Sequence, residues 1–146
     1  MKRTLPVVIF LVAVIILAGC DSKTFLRSKK KYESDLQGYW RPIKGTSIYG
    51  TSVHDQNVQW KFESGSLEIV RVNSNGSETL LDKGNYSIDT KIDQSFLTTS
   101  GFTSRDYDTI LDFNLKWTII QLNNDILDIT GRPNNGGQIE IEFYKQ

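Results

Sequence analysis

Few side chains in this 146-residue chain have the type and spacing that chemistry needs. His54 is the only histidine, which excludes a His-rich metal site and leaves Ser-His-Asp chemistry a single residue to run through. It sits in Thr51-Ser52-Val53-His54-Asp55, a polar stretch that reads as a solvated loop, with no Gly-x-Ser-x-Gly elbow beside it. Asp106, Asp108 and Asp112 fall at even spacing and could approach a calcium ion, but the glycine and closing glutamate of an EF-hand loop are missing. Glu140 and Glu142 alternate with apolar residues and read as the wet side of a strand. Paired carboxylates hydrolyse glycosides only at a tuned separation and with shifted pKa values, and nothing in the pattern sets either. Gly45, Gly50, Gly65 and Gly76 form no phosphate cradle. The expectation is a protein that is not an enzyme and carries no metal or cofactor.

Cys20, the only cysteine, has a more specific context. Lys2 and Arg3 precede an apolar run from Leu5 to Ala18 that only Pro6 interrupts, and the small residues Ala18 and Gly19 stand just before Cys20, the pattern of a secretory signal. Fourteen residues at a helical rise of about 1.5 Å reach roughly 21 Å, short of a hydrocarbon core of roughly 30 Å. Leu17-Ala18-Gly19-Cys20 resembles a bacterial lipobox. The resemblance implies a diacylglyceryl group on the Cys20 sulfur, cleavage after Gly19 and further acylation of the new amino group by a palmitate-type chain. Each buried methylene contributes about 0.8 kcal/mol, and two chains give stable anchoring. The implied location is the cell envelope, with the membrane as partner through Cys20. Asp21 resembles the inner-membrane retention signal of enterobacteria, a rule tied to those hosts, and the outer membrane is the favoured site.

Cleavage would remove Lys2 and Arg3, leaving 15 basic against 17 acidic side chains in 127 residues, a balance of −2. That length supports one domain with a real core. With Cys20 acylated, no disulfide could staple the fold. The near-neutral balance lacks the basic footprint of a nucleic-acid binder. The division expected is a signal peptide over 1–19, a lipidated tether over 20–34 and a domain over 35–146. Lys23, Arg27, Lys29, Lys30 and Lys31 make the tether basic. It reads either as a solvated spacer or as a segment lying on anionic headgroups, outside the core in both cases.

Beyond Asp35 the chain reads as short strands between turns, with no helical period. Val58, Trp60 and Phe62 alternate with polar residues, and so do Ile139, Ile141 and Phe143. Further strands are expected at Leu36–Ile43, Leu67–Val72, Asn85–Ile88, Ser95–Thr98, Thr109–Phe113, Leu115–Leu122 and Ile126–Thr130. Connections are expected at 63–66, 73–76, 82–85, 123–125 and 133–137, where Gly, Asn, Asp and Ser cluster. Ile119-Ile120 breaks the alternation, which fits a bulge or a strand buried on both faces. Eight or nine strands wetted on one face suit an antiparallel barrel or a sandwich.

Leu36-Gln37-Gly38-Tyr39-Trp40 resembles the Gly-x-Trp opening of lipocalins and of small lipocalin-like lipoproteins of Bacteroidetes. Trp60-Lys61-Phe62, Lys116-Trp117-Thr118-Ile119, Leu127-Asp128-Ile129 and Glu142-Phe143-Tyr144-Lys145 follow the same pattern over the stretch from Asp35 to Gln146. The resemblance implies an all-β, antiparallel up-and-down barrel of about eight strands. It also implies that Trp40 closes one end beneath a basic residue of the last strand, for which Lys145 is the candidate.

Trp60, Phe62, Tyr86, Trp117 and Phe143 are the candidates for lining a ligand cavity, and equally for filling a barrel. Two functions follow. One is an envelope lipoprotein binding a small apolar or amphipathic ligand. The other is a protein-interaction module, an inhibitor or accessory subunit of an envelope complex, with a filled barrel and the stretch from Lys44 to Asn57 as its contact loop.

Overall fold

The computed structural model describes residues 27–47, 57–103, 113–133 and 137–146. The signal stretch 1–19, Cys20, His54 and the trio Asp106, Asp108 and Asp112 lie outside them. A helix, α1 (Lys29–Leu36), leads into β1 (Gly38–Ser47), β2 (Val58–Glu63), β3 (Ser66–Val72) and β4 (Glu78–Thr90). Then come β5 (Ser95–Ser100), β6 (Lys116–Leu122), β7 (Ile126–Gly131) and β8 (Ile139–Lys145). Each strand pairs antiparallel with the next, and β8 returns to β1, so the sheet closes as an up-and-down barrel rather than a sandwich. Closure leaves no sheet edge running the length of the barrel.

Strand alternation places the core. Val58, Trp60 and Phe62 point inward while Gln59, Lys61 and Glu63 do not, and Ile139, Ile141 and Phe143 repeat the pattern. Ser64 and Gly65, with φ of 45° and 87°, form the two-residue turn between β2 and β3 that suits the right-handed twist of a hairpin. At Ile119-Ile120 the β6–β7 register shifts, so a bulge keeps Ile119 inside and turns Ile120 out.

Three expectations need correction. The stretch 82–85 is not a connection: it lies inside the thirteen-residue β4. Gly84 serves packing there, because a Cβ would stand 2.5 Å from the Phe102 ring and from the Ser100 carbonyl oxygen. Phe113, expected in a strand, lies in the connection before β6. Residues 29–34, expected in a tether outside the core, are helical, and Tyr32 is part of the core cluster.

Helix α1 owes little to local signals. The Ser28 hydroxyl caps it by accepting from the Lys31 amide at 3.2 Å, but the first turn carries lysines and no acid. Tyr32 and Leu36, one turn apart, are buried against the barrel end, and that contact holds so short a helix.

Candidate functional site

The strand directions put α1, the β2–β3, β4–β5 and β6–β7 turns and the end of β8 at one end of the barrel. The strand ends that the other four connections join lie at the opposite end.

Trp40 and Lys145 come together at the α1 end. Trp40 is fully buried at the start of β1, and its indole N–H donates to the Leu36 carbonyl at 2.7 Å. Lys145, paired with Trp40 across the β1–β8 seam, places Nζ 5.1 Å from the Trp40 ring centroid and donates to the Asp35 carbonyl at 2.8 Å. The two donors thus satisfy the last carbonyls of α1, which its own hydrogen bonds leave open. Burial lowers the Lys145 pKa, and the carboxylate of Asp125 opposes that shift. Gly38 has φ 109°, and a Cβ there would come 3.2 Å from the Lys145 Cε, so the glycine of the Gly-x-Trp pair makes room for the lysine stem.

The five ligand-lining candidates are all buried, and Phe62, Trp117 and Phe143 each meet Trp60. Trp60 is the hub. Its ring centroid lies 4.9 Å from Phe143, 6.0 Å from Trp117 and 6.2 Å from Phe62. These separations are those of rings in direct contact. Tyr86 stands apart from the hub, edge-on to Phe62 at 5.1 Å, with its hydroxyl accepting from the Gln37 side chain at 2.7 Å near the closed end.

Two rings that the sequence did not single out join this cluster. Phe113 reaches the hub from the β5–β6 connection, its centroid 5.3 Å from Trp60. Phe102 backs it at 5.9 Å. The Asn114 side chain pins this connection, accepting from the Phe102 amide and donating to its carbonyl, both at 2.9 Å. Thr99 is a buried polar residue beside these rings. Its hydroxyl accepts from the Trp117 indole at 3.1 Å and donates to the Phe113 carbonyl, which ties the hub to the connection above it. A lone threonine among strand residues carries no sequence signal for that role.

The outer wall carries charge rather than a reactive cluster. Lys61, Glu68 and Lys83 lie side by side across β2, β3 and β4, with Lys83 2.8 Å and Lys61 3.5 Å from the Glu68 carboxylate. The hydrogen bond from Lys83 is the main reason the Glu68 pKa is lowered. Glu140 and Glu142 also face outward, beside Asp128, whose pKa is raised by partial burial first and by those two carboxylates second. Among the described residues no three His, Cys, Asp or Glu side chains are grouped to hold a metal ion. No described helix is long and apolar enough to cross a membrane.

No family model matches the chain, and no curated protein does. Solved structures do. A lipocalin-like protein from Bacteroides uniformis aligns with a TM-score of 0.54 at 20% identity, over 77% of this chain and 99% of that one. An uncharacterized protein from Bacteroides eggerthii aligns with a TM-score of 0.53 at 16% identity, over 76% of this chain and 99% of that one. At such identities the likeness speaks for the fold, and it agrees with the closed strand order: the chain has the fold of a lipocalin-like, eight-stranded antiparallel β-barrel.

Proposed function

We propose that this protein is an envelope lipoprotein, anchored through acylated Cys20, whose barrel binds one small apolar or amphipathic ligand and acts by binding rather than catalysis. The observation that carries the ligand reading is the closure of one end by α1, Trp40 and Lys145. A ligand has to enter from the opposite end, where Phe113 and Trp60 form an apolar floor. Four rings pack around Trp60, so the proposed ligand is small and sits above them or displaces Phe113. The lipobox-like Leu17-Ala18-Gly19-Cys20 and the apolar run before it support the anchor.

The ring neighbours on several sides of Trp60 also support the second reading, a protein-interaction module with a filled barrel. Titration of the detergent-extracted full chain with a fluorescent apolar probe, then displacement by a fatty acid, separates the two. Saturable binding of one probe per chain is expected. Its absence, with a partner protein co-purifying in equal amount, would leave the interaction module. Intact-mass measurement of the same sample checks acylation at Cys20.

A further inference from the structure

A groove of about 800 Å³ runs along the outside of the closed end, between α1 and the β4–β5 and β6–β7 turns. Its walls include Tyr32 and Leu122, and two isoleucines that the barrel leaves open: Ile92 is 79% and Ile120 55% exposed. The strands explain why the groove exists. Ser95, the first residue of β5, pairs with Ile119, so β6 runs on through Ile120, Gln121 and Leu122 past the start of its neighbour. On that side the backbone of these residues has no strand partner among the described residues.

Arg27 fixes where the chain meets this groove. Its guanidinium pairs with the Asp35 carboxylate, donates to the Leu122 carbonyl at the open side of β6, and lies 4.8 Å from the Tyr32 ring centroid. The chain immediately before it reads Asp21-Ser22-Lys23-Thr24-Phe25-Leu26. Phe25 and Leu26 are its only large apolar side chains, and they lie next to a residue already held inside the groove. We propose that residues 24–26 dock in this groove, with Phe25 and Leu26 covering Ile92 and Ile120 beside the open side of β6. The occupant is local because the lead-in to Arg27 starts at the groove wall, and two apolar side chains on each partner match in kind. Docking needs no lipid. Where it is combined with the anchor proposed at Cys20, it turns the closed end towards the bilayer and leaves the other end free.

Disulfide trapping in the full-length chain with Cys20→Ser tests the docking apart from the anchor. Phe25→Cys is paired with Ile92→Cys, with Ile120→Cys, and with Leu80→Cys as a control at an exposed position on β4. At least one groove pair is expected to form an intrachain disulfide about tenfold faster than the control, since bridging needs Cα atoms within about 7 Å. Groove pairs that close no faster than the control would overturn the proposal. Disulfides forming between chains instead would assign the groove to a second copy, and overturn it as well. A second measurement avoids new cysteines. Trypsin cleavage after Lys23 and Arg27 is expected to quicken about tenfold in Ile120→Asp, and unchanged cleavage would count against docking.

Discussion

The Lys145 ammonium lies over the Trp40 ring, 5.1 Å from its centroid, and joins the last strand to the first at the closed end of the barrel. Both residues also bond carbonyls of α1, so the seam and the helix that plugs it are held by one arrangement. Trp40→Ala is expected to cost about 3–5 kcal/mol, as for other buried tryptophans. Lys145→Met keeps much of the apolar stem but leaves the Asp35 carbonyl unpaired, for a loss of about 1–3 kcal/mol. Thermal melts of both variants check this, and a Trp40→Ala protein melting within a degree or two of the parent would contradict it.

Two glycines act by having no side chain. A Cβ at Gly131 would lie 2.7 Å from the Trp117 ring and 2.8 Å from Leu115, and one at Gly84 would meet the Phe102 ring. Gly131→Ala and Gly84→Ala should each lose about 1–3 kcal/mol through overpacking. Urea titrations give the loss, and near-ultraviolet circular dichroism of Gly131→Ala should show Trp117 displaced. Wild-type stability in both variants would mean that the rings have somewhere else to go.

Thr99 gives a sharper test of the interior. Thr99→Val preserves shape but leaves the buried Trp117 indole N–H without its acceptor and the Phe113 carbonyl without that donor. The expected cost is about 1–3 kcal/mol. Thr99→Ser keeps the hydroxyl and should recover most of it. A loss in Thr99→Ser with none in Thr99→Val would show that the methyl group, not the hydrogen bonds, matters at this position.

Asp128 sets a pH dependence whose sign follows from its raised pKa. The folded state disfavours the ionised carboxylate, so the Asp128 contribution to stability is greatest below the unfolded value of about 3.9 and is lost as pH rises through the raised folded value. Asp128→Asn should therefore stabilise the protein at neutral pH, and the advantage should fade on acidification. Water screens this partly buried group, which keeps the gain below about 1 kcal/mol. Melting temperatures of both proteins across the acid range check it, and a gain that grows as pH falls would reverse the assignment.

The sequence was most legible where one strand face is dry and the other wet. Val58-Trp60-Phe62 and Ile139-Ile141-Phe143 showed their inward sides through a period of two, and Gly38 and Trp40 marked the start of the first strand. Helix α1 was not legible, because only Tyr32 and Leu36 in its lysine-rich stretch are apolar and its stability comes from the barrel end they meet. Gly84 read as a turn glycine for a similar reason. Its role depends on the Phe102 ring, which arrives from the far end of the next strand. The five aromatic candidates could be named in advance, but the convergence of Phe62, Trp117 and Phe143 on Trp60 depends on barrel closure, and Phe113 joins them from a connection.

Whether this barrel carries a ligand is decided most directly by native mass spectrometry of the detergent-extracted full chain, purified with nothing added. A reproducible small-molecule adduct, one per chain, that is released when the barrel unfolds is expected. Bare protein in repeated preparations, or a second protein in equal amount in place of the adduct, would contradict it.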